Sequence, residues 1–233
     1  MALTIEDNEI HIWHADLLPE KWNTQELTEV LSEDERTRAQ NFKFQCHREY
    51  FILRRYLLRA ILSKYCHCNP SDLEFRYTGY QKPFISTPEY NSIKFNASFS
   101  DNLLLIGITM QREIGVDIER QHIIPDIERV AFDHFSTNEF NLFKEASCNE
   151  EIFFKIWTRK EAFIKAVGKG MYYPLKSFAI NPASPEFEKP ALENDPERSE
   201  HWRIGGLTTK EGFYASLAVN ADQFNIRYLQ FNF

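Results

Sequence analysis

The hydrophobic residues of the chain recur at helical spacing in two long segments and alternate with polar residues in several short ones. Residues 48–64 and 150–167 have the helical spacing and are predicted as long amphipathic helices. Pro70 should end the first helix, because proline cannot continue one, and Gly168 should end the second. Ser32 and Glu35 have the spacing of a capping box, which predicts the start of a shorter helix.

Strands are predicted where apolar and polar residues alternate, or where a short apolar run lies between turn residues. The predicted strands are 10–14, 73–77, 93–97, 103–109, 115–119, 178–180, 201–204, 213–219 and 225–231. A mostly helical stretch is expected over 126–145. The loop 182–199 is rich in proline, glutamate and asparagine, and we expect it to be exposed.

The order of the predicted elements is similar in the two halves of the chain, since each half has one long helix followed by strands. We therefore expect an α+β fold of two similar lobes related by a pseudo-twofold axis. Each lobe would be a long helix packed on a small antiparallel sheet. Residues 1–110 would form the N-terminal lobe and residues 111–233 the C-terminal lobe.

Composition and charge exclude several classes of protein. With 233 residues, of which 43% are hydrophobic and 26% charged, the chain should form one or two globular domains. Its net charge of −7 argues against sequence-independent binding of nucleic acid. No apolar run approaches the roughly 20 residues of a membrane helix, and the first residues lack the features of a secretion signal. We therefore expect a cytoplasmic protein that binds neither nucleic acid nor membranes, and a monomer, because two lobes in one chain need no partner copy.

Positive charge is concentrated in residues 36–64, which hold eight basic residues and one acidic residue, Glu49, for a net charge of +7. The basic residues are Arg36, Arg38, Lys43, Arg48, Arg54, Arg55, Arg59 and Lys64. A cationic segment in an acidic protein indicates an anionic ligand or partner. The alternative is a solvated helix face whose charges pair with acidic residues from elsewhere in the chain.

Asp117 and Glu119 lie two positions apart in the predicted strand 115–119. Side chains at positions i and i+2 point to the same face of a strand, so the two carboxylates should lie side by side. Adjacent carboxylates repel each other unless a cation lies between them, and Mg²⁺ prefers oxygen ligands of this kind. The alternative interpretation is a solvent-facing strand edge with no bound ion.

Glu161 and Lys165 lie four residues apart in the second predicted helix and therefore on one face of it. Glu161 could add a third carboxylate to the metal site, and Lys165 could reach a phosphate bound there. The alternative is an ordinary intrahelical pair of glutamate and lysine, which would contribute about 0.2–0.5 kcal/mol to helix stability.

Five segments of the chain, taken together, resemble one known enzyme family. They are Gln81-Lys82-Pro83, Phe95-Asn96-Ala97-Ser98-Phe99-Ser100, Gly115-Val116-Asp117-Ile118-Glu119, Trp157-Thr158-Arg159-Lys160-Glu161-Ala162-Phe163-Ile164-Lys165 and Gly168-Lys169-Gly170. In this order they are similar to the signature segments of the 4'-phosphopantetheinyl transferases, specifically of the larger Sfp type. The resemblance extends over about residues 33–178.

The resemblance implies an activity and its partners. Enzymes of this family transfer the 4'-phosphopantetheine group of coenzyme A to a serine of an apo acyl or peptidyl carrier protein and release adenosine 3',5'-bisphosphate. We therefore expect coenzyme A, lodged between the lobes, and an apo carrier protein as partners, with Mg²⁺ as cofactor. Carriers of fatty-acid, polyketide and nonribosomal-peptide synthesis would all fit this expectation.

The resemblance also implies three groups of site residues. Mg²⁺ would be held by Asp117, Glu119 and Glu161. Lys160 and Lys165 would lie near the phosphates of coenzyme A, and its nucleotide end would be lined by Arg48, Lys82, Pro83, Ser98 and Phe99. Glu161 would remove the proton of the serine hydroxyl, directly or through a metal-bound water, and Lys165 would stabilise the leaving bisphosphate; the alternative is that Glu161 only orients the ion, because metal ligation lowers its basicity.

Phe99 departs from the family pattern, which usually has histidine at this position. The resemblance implies that this histidine contacts the 3'-phosphate of coenzyme A, whereas phenylalanine can neither donate a hydrogen bond nor carry a charge. We therefore expect retained activity with an altered preference for the 3'-phosphate, for which a basic residue such as Arg48 could compensate.

Two other functions stay open from the residues alone. The first is a relative that binds coenzyme A or a carrier protein without turnover, which the phenylalanine at position 99 would favour. The second is an unrelated Mg²⁺-dependent phosphohydrolase or nuclease that uses the same carboxylates. The second alternative does not account for the segment from Trp157 to Lys165 as a unit, and the first is opposed by the intact set of Asp117, Glu119, Glu161 and Lys165.

Overall fold

The structure is a computed structural model, and it describes residues 3–192 and 199–231. The α-helices run over Thr24–Leu27 (α1), Glu33–Gln40 (α2), Gln45–Cys66 (α3), Ile127–His134 (α4), Thr137–Glu145 (α5) and Glu150–Val167 (α6). The strands run over Glu9–Asp16 (β1), Phe75–Tyr77 (β2), Pro83–Ile85 (β3), Ile93–Ser100 (β4), Leu103–Met110 (β5), Ile114–Arg120 (β6), Phe178–Ala179 (β7), Ala191–Leu192 (β8), Trp202–Leu207 (β9), Phe213–Asn220 (β10) and Asn225–Gln230 (β11). Among the described residues, no helix is both long enough and apolar enough to cross a membrane.

Two sheets form the framework of the molecule. The first has the strand order β11-β1-β5-β4 and the second has the order β6-β10-β9. The pairs of the second sheet are antiparallel, and so are β1–β5 and β4–β5 in the first. The two short hairpins β2-β3 and β7-β8 lie outside these sheets. This mixture of helices and largely antiparallel sheets confirms the predicted α+β class.

The last strand, β11, departs from the prediction. It pairs with β1 in parallel, with Ile10 opposite Ile226 and Ile12 opposite Tyr228, so the first sheet is mixed rather than antiparallel. The strand lies in the segment 111–233, which was expected to form the second lobe, yet it completes the sheet of the first. Strand pairing does not by itself set a domain boundary, so the division of the chain at residues 110 and 111 stays a prediction.

Each long helix packs on one sheet. From α3, Leu53, Leu57 and Ile61 are buried against Phe95 and Ile106 of the first sheet. From α6, Ile156, Phe163 and Ala166 are buried in a second cluster together with Trp202 and Ala218 of the second sheet. A third apolar cluster, which includes Ile12, Leu105, Val116 and Leu217, joins the two sheets face to face. The sheets are thus held in a fixed relation, with the edge strands β4 and β6 side by side.

The predicted element positions agree with the structure where the local pattern is strong. The helix α6 has the bounds that the periodicity predicts, and Gly168 ends it with φ of 76°. The capping box of Ser32 and Glu35 is present at the start of α2. The predicted helical stretch 126–145 is divided, because Phe135 adopts an extended conformation between α4 and α5. The short elements α1 and β3 were not predicted.

The loop 182–199 was expected to be exposed, and this is wrong for part of it. Pro182, Pro190 and Leu192 are buried, and a backbone pairing of Glu188 with Ile204 ties the loop to β9. Residues 193–198 of this loop lie outside the described residues. The prediction failed because prolines at turns can pack on apolar surface as readily as they face solvent.

Gly115 sets the distance between β6 and α6. A Cβ atom at this position would lie 2.1 Å from the carbonyl oxygen of Ala162 and 2.3 Å from the backbone nitrogen of Ala166. The strand and the helix therefore touch backbone to backbone, which only glycine permits. This close packing brings the outer half of β6 next to the face of α6 that carries Glu161 and Lys165.

Candidate active site

Asp117, on β6, lies at the centre of the site. Its side chain is 2% exposed, and Oδ1 accepts hydrogen bonds from Ser98 Oγ at 2.9 Å and Lys165 Nζ at 2.5 Å. The other oxygen, Oδ2, is buried and has no hydrogen-bond partner among the described residues. Burial raises the pKa of Asp117, although Lys165 and Ser98 act in the opposite direction. A buried carboxylate oxygen without a partner is costly unless something not yet bound satisfies it.

Glu119 lies on the same face of β6, two residues further along. Its Oε2 accepts a hydrogen bond from Ser100 Oγ at 2.9 Å. Burial raises the pKa of Glu119, and repulsion from the Asp117 carboxylate raises it further. The two carboxylates are therefore close enough to repel each other, as the alternation along the strand predicts.

Glu161 and Lys165 come from neighbouring turns of α6. The pKa of Glu161 is raised to about 7 by burial and by repulsion from Asp117 and Glu119, against the opposing effect of Lys165. Lys165 is half-buried and donates to Asp117 and to Ser98 rather than to Glu161. Across the described ranges, no hydrogen bond joins Glu161 to Lys165, so the intrahelical pair considered above is not what the structure has.

The donor set suits a hard divalent cation. It consists of three carboxylates from two elements, with a buried and unpartnered oxygen on Asp117, and oxygen-only sets of this kind fit Mg²⁺. No group of three or more His, Cys, Asp or Glu residues in the described part of the chain already stands at metal-binding positions. In this arrangement the ammonium group of Lys165 supplies the positive charge next to Asp117.

Lys82 and Pro83 lie at the junction of β6 and α6. The ammonium group of Lys82 donates to Glu113 Oε2 at 2.7 Å, to the Ala166 carbonyl at 2.9 Å and to the Ile114 carbonyl at 3.2 Å. Burial lowers the pKa of Lys82. Both residues also line a small cavity of about 140 Å³. The three acceptors occupy the ammonium group, so any contact of this lysine with a nucleotide would come from its backbone or its stem.

Phe99 is 52% exposed and supports an arginine. The guanidinium carbon of Arg54 lies 3.6 Å from the centre of the Phe99 ring, a short cation–π contact. Burial and repulsion from Arg38 lower the pKa of Arg54 to about 10. Within the described residues Arg54 Nε donates to the Tyr50 carbonyl, and the guanidinium has no acidic partner. No local sequence pattern indicates this contact, because helix α3 and strand β4 are far apart along the chain.

Lys160 lies away from the three carboxylates, and its expected place near the phosphates of coenzyme A stays a prediction. It is 1% exposed, and its ammonium group lies 2.7 Å from Glu139 Oε2, 2.7 Å from the Phe178 carbonyl and 2.8 Å from the Leu175 carbonyl. The reason is its place on the helix, since one residue corresponds to a rotation of about 100°. Glu161 is half-buried and lies close to Asp117 and Glu119, whereas Lys160 faces the core, where Glu139 compensates its charge.

Arg48 also stands apart from the carboxylates. Its guanidinium donates to the Phe42 carbonyl at 3.3 Å, and its Nε is buried without a hydrogen-bond partner among the described residues. Of the other basic residues in 36–64, Arg55 and Arg59 both pair with Glu35 of α2. The cationic segment therefore contains charges paired within the protein and charges, such as Arg54, that are not.

Ser100 is a site residue that the sequence did not single out beyond its motif. The signal that could have found it is the shared period of two strands, because Ser98 and Ser100 have the same spacing as Asp117 and Glu119. Glu113, which binds Lys82, had no such signal.

Family models, curated relatives and a solved structure match parts of the chain. The model of the 4'-phosphopantetheinyl transferase superfamily matches residues 113–218, and the model of the 4'-phosphopantetheinyl transferase N-terminal region matches residues 16–110.

The chain is 33% identical over 220 residues to 4'-phosphopantetheinyl transferase HetI of Nostoc sp. PCC 7120, and the match covers 93% of this chain and 90% of the relative. It is 32% identical over 154 residues to 4'-phosphopantetheinyl transferase Sfp of Bacillus subtilis, with 64% of this chain and 66% of the relative covered. The solved structure of holo-[acyl-carrier-protein] synthase from Thermotoga maritima matches 48% of this chain and 64% of that chain at 19% identity, with a TM-score of 0.36. On the sequence matches, the chain belongs to the 4'-phosphopantetheinyl transferase family, and to its Sfp type.

Proposed function

We propose that this protein transfers the 4'-phosphopantetheine group of coenzyme A to a serine hydroxyl of an apo acyl or peptidyl carrier protein, with release of adenosine 3',5'-bisphosphate. The family to which the chain belongs consists of transferases of this kind. The observation that carries the proposal is the closeness of Asp117, Glu119 and Lys165 to Glu161 between β6 and α6, where each of the three charges acts on the pKa of Glu161. Three carboxylates and one ammonium group suit a reaction at a diphosphate.

We propose further that Asp117, Glu119 and Glu161 hold Mg²⁺. When bound, the ion would neutralise charge on the diphosphate of coenzyme A, which otherwise resists attack by a nucleophile. The unpartnered Oδ2 of Asp117 and the mutual repulsion of the three carboxylates support this assignment. It predicts that removal of divalent ions with EDTA abolishes transfer.

Glu161 and Lys165 are the residues that we propose act on the reacting groups. Burial and the two neighbouring carboxylates raise the pKa of Glu161 to about 7 in the ion-free site, and we propose that this carboxylate accepts the proton of the carrier serine. The serine oxygen then forms a bond to the phosphorus of the pantetheine phosphate, and the bond from this phosphorus to the bisphosphate breaks. Lys165, one turn further along α6, would stabilise the negative charge of the leaving bisphosphate.

We also propose that the two lobes are related by a pseudo-twofold axis, with coenzyme A between them. The support is that each lobe packs one long helix, α3 or α6, on its own sheet, while the parallel strand β11 has no counterpart in the second sheet. In this proposal the protein works as a monomer in the cytoplasm.

The experiment is to incubate the protein with coenzyme A, Mg²⁺ and a purified apo carrier, and to weigh the carrier by mass spectrometry. A gain equal to one phosphopantetheine group supports transfer. Breakdown of coenzyme A with an unchanged carrier would indicate a phosphohydrolase, and binding of coenzyme A with no reaction would indicate a binding protein. Either result would contradict the proposal.

Glu161→Gln tests the residues in the same assay. We expect at least an approximately 100-fold loss of rate, because this change removes both a metal ligand and a base. Glu151→Gln is the matched control, since Glu151 is an exposed carboxylate on the same helix that pairs with Lys155. The control should keep the rate of the unchanged protein within about twofold.

A further inference from the structure

The edge strands β4 and β6 belong to different sheets, and polar side chains of β4 join them. Ser98 Oγ donates to Asp117 Oδ1, and Ser100 Oγ donates to Glu119 Oε2, both at 2.9 Å. Each carboxylate of β6 thus has its own hydroxyl donor on β4. The first sheet supplies the donors, and the second supplies the acceptors.

The same row of β4 side chains also binds the backbone of β6. Asn96 Oδ1 accepts a hydrogen bond from the Val116 backbone nitrogen at 2.9 Å, and Ser100 Oγ accepts one from the Arg120 backbone nitrogen at 3.0 Å. Side chains at every second position of β4 therefore replace the backbone ladder that two neighbouring strands would normally form. These hydrogen bonds fix the position of β4 along β6, and this position determines which serine pairs with which carboxylate.

The Ser98 hydroxyl makes two hydrogen bonds within the site. Its hydroxyl proton goes to Asp117, and its oxygen accepts a hydrogen bond from Lys165 Nζ at 3.0 Å. The side chain is 6% exposed, so it has little surface left for a ligand. These contacts differ from the role that the resemblance implies for Ser98, which is to line the nucleotide end of coenzyme A.

We propose that Ser98 and Ser100 are positioning residues of the transferase site. Each holds one oxygen of a β6 carboxylate by a neutral hydrogen bond, and Ser98 also holds the ammonium group of Lys165. For Asp117, this leaves Oδ2 buried and without a partner among the described residues, as an ion ligand needs. The inference rests on the proposed function and deepens it, because it names the residues that orient the proposed metal ligands.

The carboxylates need positioning residues because they repel each other. Asp117, Glu119 and Glu161 crowd together, and a carboxylate that is free to turn would rotate away from its neighbours or fully onto Lys165. A hydrogen bond from a neutral hydroxyl to one oxygen prevents this rotation and leaves the net charge of the site unchanged. Outer hydrogen-bond partners of this kind typically change metal affinity by about 10–100-fold when they are removed.

The test measures ion binding and nucleotide binding separately in Ser98→Ala and Ser100→Ala. Mn²⁺ is the probe, because it takes the same oxygen ligands as Mg²⁺ and the free ion has an EPR signal. We expect each change to weaken Mn²⁺ binding about tenfold and to lower kcat about as much. The KM for coenzyme A, and the Kd for adenosine 3',5'-bisphosphate in EDTA, should stay within about twofold. Ser100→Thr, which keeps the hydroxyl, should restore most of the loss.

Thr109→Val is the matched control for a lost hydroxyl. Thr109 is buried in the neighbouring strand β5, and its hydroxyl bonds to the Glu9 carbonyl rather than to a site residue. It should leave Mn²⁺ binding unchanged. Thermal unfolding of each variant identifies a temperature at which all of them are folded, and the binding and rate measurements are made there. If Ser98→Ala does not fold, the Ser100→Ala variant tests the inference, because Ser100 is only half-buried.

Two results would overturn the inference. One is unchanged Mn²⁺ binding and kcat in the serine variants. The other is weaker binding of adenosine 3',5'-bisphosphate with unchanged Mn²⁺ binding, which would make Ser98 a nucleotide contact. A failure of the proposed function is distinguishable, because the unchanged protein would then modify no carrier, whatever the Mn²⁺ measurements show.

Discussion

Glu161 has a pKa of about 7 because it is partly buried and lies close to two other carboxylates. Asp117 and Glu119 also have raised pKa values, and Lys165 is the cation that opposes these shifts at all three positions. Without a divalent ion the site therefore holds more negative charge than one lysine can compensate. At the scale of single residues, this repulsion is the property from which both the ion binding and the base follow.

The first prediction is a dependence of stability on pH in EDTA. The pKa of Glu161 is about 7 in the folded protein against 4.5 for the ordinary side chain, so the folded state binds the extra proton between these values. The contribution of this proton to the free energy of unfolding is fully present below about pH 4.5 and is lost as the pH rises through 7. We expect Glu161→Gln to give a shallower decline and, at pH 8, a free energy of unfolding higher by on the order of 2 kcal/mol after allowance for solvent screening.

Urea unfolding at pH 5, 6, 7 and 8 measures this. Asp117, Glu119 and Lys165 face Glu161 and stay in the variant, so part of the pH dependence should remain. Identical slopes for the two proteins would show that Glu161 does not titrate near neutral pH.

The second prediction concerns Phe99, which stands where the family usually has histidine. Phe99 supports the guanidinium of Arg54, which has no acidic partner in the described part of the chain, so a basic group is still present near this position. We expect Phe99→His to increase the preference for coenzyme A over 3'-dephospho-coenzyme A by several-fold, because histidine can donate a hydrogen bond to a phosphate. The ratio of kcat/KM values for the two substrates is the measurement.

Phe132→His is the matched control for this change. Phe132 is also 52% exposed and also lies beside an arginine, Arg129, but it is on α4. The control should not alter the substrate ratio. An unaltered ratio in Phe99→His would remove position 99 from the recognition of the 3'-phosphate.

At the scale of elements, the site depends on how closely β6 approaches α6. Gly115 permits contact of the two backbones, and Lys82 ties the start of β6 to the end of α6 through Glu113 and the Ala166 carbonyl. A shift of the strand by even an ångström would separate Asp117 from Lys165. The packing of these two elements is thus a condition for the geometry of the site.

The third prediction tests that packing. Gly115→Ala would place a methyl group 2.1 Å from the Ala162 carbonyl oxygen, so the strand or the helix must move. We expect a loss of about 3 kcal/mol or more in the free energy of unfolding, together with weaker ion binding. Gly79→Ala is the control, because a Cβ there has no neighbour within 4 Å. Equal stability of both variants would contradict the described contact.

The elements also show which parts of the fold the sequence could predict. The bounds of α6 follow from its periodicity and from Gly168, which are local signals. The burial of Lys160 could not be predicted, since a lysine normally faces solvent, and its partner Glu139 lies on another helix. The pairing of β11 with β1 joins the two ends of the chain, and no local pattern reports it.

The sequence also predicts part of the candidate site, namely which side chains share a face of one element. Period-two spacing places Asp117 and Glu119 on one face, and the helical period places Glu161 and Lys165 on another. That these two faces meet depends on the β6–α6 contact, which the resemblance implied and single-residue reasoning did not. The bond of Lys165 to Asp117, in place of one to Glu161, depends on side-chain geometry alone.

At the scale of the whole molecule, the site is assembled from both sheets. The first sheet supplies Ser98 and Ser100, and the second supplies Asp117 and Glu119, so neither sheet holds the site alone. The third apolar cluster keeps the sheets face to face. We therefore expect the two halves to unfold together, because separating the sheets would expose this shared apolar layer.

The most direct measurement is a crystal structure of the protein with coenzyme A and Mn²⁺, in which anomalous scattering locates the ion. We expect one strong anomalous peak at bonding distance from carboxylate oxygens of Asp117, Glu119 and Glu161 and from the diphosphate of coenzyme A. A peak elsewhere, or an ion held by coenzyme A alone while these carboxylates point away from it, would show that the three carboxylates are not the metal site.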